Sequence, residues 1–294
     1  MEEETPREDH VIPQLEITPT APNNGGHRPP SRRWFPWLVA AILVANVVVF
    51  VVTMYVNDCP RNTQPPPSCF PAFLGRFSFQ PREDNPLYGP SEDTLLKMGA
   101  LDENRIVHNH QPWRLITCIW LHSGIVHIFY NMLSLLLFGI RLELEFGYVR
   151  IGILYVISGL GGSLLSALFS HAVSVGASGA IMGFLGSALS ELITNWRIYA
   201  NKFAVLLILL FIIAINVVSG LSPHVDNFAH AGGFISGFLL GLVILIRPQY
   251  GNGAALGCHT GPVKHKLMYQ YVLSVIAAVL LIPGFVVGFV MLFN

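Results

Sequence analysis

The amino-acid sequence predicts an all-α fold, a polytopic membrane helical bundle, and three observations lead to that prediction. Of the 294 residues, 52% are hydrophobic and only 12% are charged, whereas a soluble domain carries roughly a quarter charged residues. The mean hydropathy is +0.54. The few charges avoid several apolar runs, most of them close to the roughly 20 residues that cross a bilayer as a helix. An ordinary cytosolic enzyme, a disordered chain and a coiled coil are therefore excluded.

Seven apolar runs are predicted to span the membrane. The fourth is short and rich in glycine, so it is the run that can fall short of a full crossing. For the second, an earlier entry at Leu115 stays open. In chain order the predicted spans cover residues 37–56, 125–140, 151–169, 178–192, 203–218, 228–246 and 271–293.

The segments between the spans are polar. The N-terminal segment begins with acidic residues and continues rich in Pro, Asn and Gly, which predicts a disordered cytosolic tail rather than a signal peptide. A long loop containing several prolines follows the first span. The predicted segments are a tail (1–36), a first span (37–56), a first loop (57–114), a core of spans two to six (115–246), a cytosolic loop (247–270) and a seventh span (271–294).

The positions of Lys and Arg predict the orientation. An excess of basic residues marks the cytosolic face, so we expect a cytosolic N-terminus in a membrane of the secretory pathway, the Golgi or the plasma membrane. Cys59 and Cys69 would then lie in an oxidising compartment, where they either pair or remain two thiols. The basic residues of the cytosolic face are Arg28, Arg32, Arg33, Arg141, Arg150, Arg197, Lys202, Arg247, Lys264 and Lys266.

Several function classes are disfavoured by what the sequence lacks. Lys+Arg and Asp+Glu are both 17, so the chain lacks the basic excess that would predict nucleic-acid binding. The sequence contains no CxxC or HExxH motif and no Cys/His cluster, so no metal site is predicted, and no cofactor motif is present. No Asp lies in the middle of a span, which disfavours aspartyl protease chemistry. A transporter would spread polar groups through the bilayer depth, whereas here they gather at one end.

Three polar clusters at the ends of predicted spans are candidates for function, because polar groups within a membrane are costly. One contains His122, His127 and Asn131 near the start of the second span; the others are residues 176–180 and 227–233, which open the fourth and sixth. His127 and Asn131 are four residues apart and share one helix face. The predicted topology brings all three clusters to the same membrane face.

Together the clusters contain the groups that acyl transfer needs. Ser178 would attack a carbonyl, and His230 would take its proton. His127, Asn131 and the Ser178 backbone N–H would stabilise the oxyanion. Stripes of small residues predict that the fourth and sixth spans pack closely. The stripes are Gly179, Gly183 and Ser187 on one helix and Gly233, Gly237 and Gly241 on the other.

Each of these residues also fits a structural interpretation. A serine between glycines commonly packs helices, and a histidine at the membrane surface commonly makes a structural hydrogen bond. Asp226 precedes His230 by four residues, but we expect it to cap the sixth helix rather than to complete a triad. Glu143 and Glu145 are expected to form a local ion pair or cap.

Four separated motifs occur in order along the chain. They are Trp113-Arg114, His122…His127…Asn131, Gly176-Ala177-Ser178-Gly179-Ala180 and Ala229-His230-Ala231-Gly232-Gly233…Gly237, with Gly89-Pro90-Ser91 upstream. This set resembles the rhomboid intramembrane serine proteases, and within them the plant rhomboid-like proteins. The resemblance covers residues 113–247, and a seventh span after a six-span core is similar to the secretase-type arrangement.

The resemblance implies a catalytic dyad of Ser178 and His230 without a catalytic acid. It implies an oxyanion site of His127, Asn131 and the Ser178 amide. The residues expected to support this site, by packing or as structural elements of the first loop, are His122, Gly176, Gly233, Gly237, Trp113 and Arg114.

The activity implied is that of a serine endopeptidase that cuts single-span membrane proteins in or near their transmembrane segment, a form of regulated intramembrane proteolysis. No cofactor or metal is required. The alternative is a non-catalytic rhomboid-fold protein that binds membrane clients for trafficking or degradation. The sequence predicts no oligomeric state.

Overall fold

The computed structural model describes residues 35–62, 69–170, 172–220, 225–247, 249–250, 264–265 and 268–294. The predicted tail up to residue 34 and most of the predicted 247–270 loop, with several of the basic residues used to orient the chain, lie outside these ranges. The described part is mainly helical, with one short strand pair, which confirms the all-α prediction.

Most of the short helices lie between the first and second predicted spans, and long apolar helices make up most of the rest of the described chain. The helices are α1 (Trp37–Asn57), α2 (Cys59–Asn62), α3 (Glu92–Met98), α4 (Glu103–Val107), α5 (Arg114–Thr117), α6 (Ile125–Ser134), α7 (Ile140–Phe146), α8 (Tyr148–Phe169), α9 (Ser178–Thr194), α10 (Lys202–Ser219), α11 (Asn227–Ile244) and α12 (Met268–Phe293). Short 3₁₀ turns cover Ala72–Phe77 and Cys118–Trp120, a π turn covers Leu135–Gly139, and strand β1 (Gln249–Tyr250) pairs antiparallel with β2 (Lys264–His265).

Each predicted span corresponds to a helix. Among the described residues, five runs are long and apolar enough to cross a membrane, whereas α9 and α10 are shorter apolar helices. The second span is longer than predicted, because the π turn joins α6 and α7 into one run that ends at Phe146. An entry at Leu115 is wrong, since non-helical residues 121–124 separate that segment from α6.

Helices α9 and α11 pack backbone against backbone through glycines. A Cβ added at Gly233 would lie 2.6 Å from the carbonyl carbon of Gly179, and one at Gly237 would lie 2.6 Å from that of Gly183. These are the contacts that the stripes of small residues predict. Lipid provides no hydrophobic drive between helices, so van der Waals contact at this short range contributes much of the attraction.

Helix α8 joins the same contact from the other side. A Cβ at Gly162 would lie 2.6 Å from the carbonyl oxygen of Ala229 in α11 and 3.3 Å from the Cα of Gly179 in α9. The three helices therefore meet at one point, next to the first turns of α9 and α11. This threefold contact fixes where those two helices begin relative to each other.

The outer helices α1 and α12 are attached by polar contacts at their ends. The Glu143 carboxylate accepts from the backbone N–H groups of Leu38 at 2.9 Å and Val39 at 2.8 Å, so it caps the start of α1. In α12, Tyr269 donates to the Thr194 carbonyl at 2.7 Å. The expected cap role of Glu143 is confirmed, although the helix it caps lies about a hundred residues away in the chain.

A partly buried ionic network closes the end of the bundle where α7, α9 and α11 finish. Arg247 Nε lies 2.9 Å from the carboxylate of buried Glu191, and Arg247 also pairs with Glu145. The Tyr199 hydroxyl donates to Glu191. Burial and the adjacent carboxylate raise the pKa of Tyr199. Burial alone would lower the pKa of Arg247, but its two carboxylate neighbours outweigh that effect and the pKa is raised.

The glycine contact can be tested by adding one methyl group. We expect Gly237→Ala to lower the free energy of unfolding by about 1–3 kcal/mol, because its Cβ would overlap the Gly183 backbone. The measurement is unfolding in detergent, followed by circular dichroism.

The matched control is Gly284→Ala in α12, where an added Cβ meets nothing within 4 Å. This change should be neutral or stabilising, because Ala exceeds Gly in helix propensity by about 1 kcal/mol. Equal stability of the two variants would contradict the packing argument.

Candidate active site

The first loop packs against the segment that leads into α9. Leu101 and Ser174 exchange backbone hydrogen bonds of 2.9 and 3.1 Å, and the Gly176 N–H donates to the Cys118 carbonyl at 3.0 Å. Gly176 adopts φ of +130°, a conformation that a side chain would strain. The start of α9 is therefore held by loop residues on one side and by the glycine contact on the other.

Ser178 is the first residue of α9 and is half-buried. The preceding Ala177 provides no capping side chain, so the first N–H groups of α9 have no side-chain partner there. The helix macrodipole is positive at this end. A negative charge that develops on or beside Ser178 would be stabilised by both features.

His230 lies in the first turn of α11 and is also half-buried. Asp226 is the N-cap of that helix, where its carboxylate accepts from the Ala229 N–H at 2.9 Å. The hydroxyl of Ser166 in α8 donates to the other carboxylate oxygen. The expected capping role of Asp226 is confirmed, and its carboxylate is engaged by groups other than His230.

The structure brings the beginnings of α9 and α11 side by side. A Cβ at Gly179 would lie 3.2 Å from the Ala229 carbonyl oxygen, and Ser178 and Ala229 line one cavity of about 10 Å³, close to the size of a single water. Within the described ranges, Ser178 and His230 are not hydrogen-bonded to each other. Such bonds are often long before substrate binds, and the dyad stays a prediction.

His127 and Asn131 converge on the backbone just before Ser178. A Cβ at Gly176 would lie 2.9 Å from His127 Nε2 and 3.6 Å from Asn131 Nδ2. Asn131 is buried, and its Nδ2 has no hydrogen-bond partner among the described residues. Two side-chain nitrogens thus approach one point of the chain, as an oxyanion site requires; their role remains a prediction.

The residues expected to support the site include one beside His127 and two at the end of the first loop. His122 is wholly buried with its ring 5.3 Å from that of His127, and neither of its nitrogens has a partner among the described residues. Arg114 is buried and donates to the carbonyls of Leu96 at 2.9 Å and Ala100 at 2.7 Å, while Trp113 is half exposed. The contacts of Arg114 are those of a structural element of the first loop.

The sequence left one pairing open and missed one contact. Cys59 and Cys69 form a disulfide, with a Sγ–Sγ distance of 2.04 Å. Ser123 lies against His127, 2.8 Å from its Nδ1. The spacing of four residues, which also relates His127 to Asn131, is the signal that would have identified Ser123.

In the described ranges, no group of three or more His, Cys, Asp or Glu is arranged to hold a metal ion.

The sequence matches a known protein family over the part that carries these residues. The Rhomboid domain family matches residues 109–247. RHOMBOID-like protein 1 of Arabidopsis thaliana is 60% identical over 270 residues, which are 90% of this chain and 68% of that protein. The chain belongs to the rhomboid family. RHOMBOID-like protein 2 of the same plant is 59% identical, over 89% of this chain and 83% of that protein.

Two more distant rhomboid relatives differ in what their names say about activity. Rhomboid-type serine protease 2 of Emericella nidulans is 36% identical over 51% of this chain and 30% of that protein. Inactive RHOMBOID-like protein 8 of Arabidopsis thaliana is 42% identical over 72% of this chain and 60% of that protein. Membership of the rhomboid family therefore supports an intramembrane protease without establishing turnover.

The cap interpretation of Asp226 yields a prediction. Asp226→Asn should keep both stability and any peptidase activity, because an amide oxygen still accepts from the Ala229 N–H. Asp226→Ala should lower the free energy of unfolding by about 0.5–2 kcal/mol. Thermal unfolding in detergent measures the stability, and cleavage of a reporter protein measures the activity. A large loss of cleavage in a stably folded Asp226→Asn variant would instead favour a triad of Ser178, His230 and Asp226.

Proposed function

We propose that this rhomboid protein is an intramembrane serine endopeptidase that cuts single-span membrane proteins in or near their transmembrane segment. One observation carries the proposal. Ser178 begins α9 beside the first turn of α11, which carries His230, while His127 and Asn131 approach the same loop from α6. The residues proposed as nucleophile, base and two hydrogen-bond donors thus come from segments that meet at one end of the bundle.

The proposed reaction proceeds through a covalent acyl-enzyme. The Ser178 hydroxyl attacks the scissile carbonyl while His230 accepts its proton, and His230 then protonates the leaving amine. Donors from His127, Asn131 and the Ser178 N–H stabilise the oxyanion of each tetrahedral intermediate. Water activated by His230 releases the acyl group and restores the serine. No metal or cofactor takes part.

The substrate class follows from the location of the site within a membrane bundle. A peptide bond locked in a transmembrane helix has its carbonyl hydrogen-bonded and out of reach. Residues that destabilise the helix near the cut should therefore favour cleavage.

We place the site on the exoplasmic side of a secretory-pathway membrane, the Golgi or the plasma membrane, with a cytosolic N-terminus. The first loop, which carries the Cys59–Cys69 disulfide, packs at the same end as Ser178, and disulfides persist in oxidising compartments. Arg247 and Arg141 lie at the opposite end of the bundle. Basic residues prefer the cytosolic side, so both features support this orientation.

The test is cleavage of a single-span reporter by purified protein in lipid vesicles, with products identified by mass spectrometry. Ser178→Ala and His230→Ala should each reduce the rate by at least about 10³-fold, because each removes a partner of the nucleophilic step. Thermal unfolding verifies that both variants remain folded.

Two variants serve as matched controls. Ser187→Ala removes another serine of α9, whose hydroxyl donates to the Phe184 carbonyl at 2.8 Å, and His108→Ala removes an exposed histidine of the first loop. Both should cleave at the wild-type rate. Full cleavage by Ser178→Ala would refute the proposal.

A non-catalytic role is the second candidate, and the existence of an inactive rhomboid relative favours testing it. In that case the wild-type protein would capture the reporter without cutting it, and capture would be the same for Ser178→Ala and His230→Ala. Co-purification of the reporter from the same vesicles measures this binding.

A further inference from the structure

Ser123, in the turn before α6, contacts His127 and has no part in the reaction proposed above. The Ser123 Oγ lies 2.8 Å from His127 Nδ1. The backbone N–H of Ser123 donates to the same nitrogen at 3.4 Å. The other ring nitrogen, Nε2, is the one that approaches Gly176.

These contacts favour one tautomer of the histidine. A backbone N–H can only donate, so its approach to Nδ1 favours an acceptor at that nitrogen, to which the Ser123 hydroxyl would then donate as well. A neutral imidazole that accepts at Nδ1 carries its proton on Nε2. We propose that Ser123 is a positioning residue, which holds His127 as the Nε2–H tautomer and directs that N–H toward the loop before Ser178.

The tautomer matters for the proposed peptidase, on which this inference rests. An oxyanion is stabilised by a donor, and a fixed donor needs no reorganisation when the charge develops. The opposite tautomer would present the lone pair of Nε2 to the negative charge. The Ser123 hydroxyl would therefore bias His127 toward the tautomer that stabilises the oxyanion.

Ser123 is itself held by the first loop. Asn85 Nδ2 donates to the Ser123 carbonyl at 2.7 Å and to the Pro90 carbonyl at 2.8 Å. A Cβ at Gly89 would lie 2.7 Å from the carbonyl carbon of Ser123 and 2.6 Å from the Cα of Gly124. The Gly89-Pro90-Ser91 stretch thus packs directly on this turn, so this motif helps to hold Ser123 in place.

A purely structural interpretation of the same bond exists. Ser123 directly precedes Gly124, the N-cap of α6, so the bond between the Ser123 hydroxyl and His127 in the first turn can simply stabilise the start of this helix. A cap alone would change the stability of the protein but not the catalytic constant of the folded fraction. The test must therefore separate these two quantities.

The kinetic experiment uses Ser123→Ala in the vesicle cleavage assay. We expect kcat to fall about tenfold with KM unchanged, less than the 10²–10³-fold cost of deleting an oxyanion donor. Ser123→Thr, which keeps the hydroxyl, should restore kcat. Ser274→Ala is the matched control: it removes a hydroxyl that donates to the Leu242 and Gln270 carbonyls of the bundle, and should leave kcat unchanged. A wild-type kcat for Ser123→Ala overturns the proposal.

The second experiment observes the ring itself. Nitrogen NMR of protein with ¹⁵N-labelled histidine, without substrate, should give His127 an unprotonated Nδ1 and a protonated Nε2, assigned by the signals that His127→Gln removes. Ser123→Ala should shift the ring toward a mixture of tautomers. A protonated Nδ1 in the wild-type protein overturns the proposal. Because this measurement needs no turnover, failure of the positioning role is distinguishable from failure of the proposed peptidase activity.

Discussion

The contact of Gly162, Gly179 and Ala229 is the constraint on which the arrangement of the bundle depends. There the backbones of α8, α9 and α11 approach so closely that a Cβ at Gly162 would lie 2.6 Å from the Ala229 carbonyl oxygen. In a membrane such contact replaces the hydrophobic drive that packs soluble helices. Ser178 directly precedes Gly179 and His230 directly follows Ala229, so both side chains are positioned by backbone rather than by flexible side-chain packing.

The two ends of the bundle use polar groups differently. At the end with Ser178, the first turn of α9 has no side-chain cap, and Asn131 Nδ2 is unpaired among the described residues. At the other end, Glu191 and Arg247 are joined in an ionic network. A buried polar group without a partner is costly, so the unpaired Nδ2 of Asn131 is a candidate donor for the proposed chemistry.

The first loop supports the candidate site from outside the membrane helices. Arg114 ties together two turns of the loop, Cys118 accepts from Gly176, and Asn85 fixes the carbonyl of Ser123. His127 is therefore oriented through Ser123, while the segment before Ser178 is held by the loop backbone. The loop and the glycine contact act from opposite sides, and together they leave the site little conformational freedom.

The sequence by itself determined the helices, the small-residue stripes and the candidate residues, because span length, helical periodicity and the four-residue spacing of His127 and Asn131 are properties of a local stretch of chain. Only the tertiary structure decided that Gly162 of α8 completes the contact, that Glu143 caps α1, and that Cys59 pairs with Cys69. It also decided that His127 approaches Gly176 with the Nε2 side of its ring. Each of these depends on where distant segments come to lie once the helices pack, and neither periodicity nor composition specifies that position.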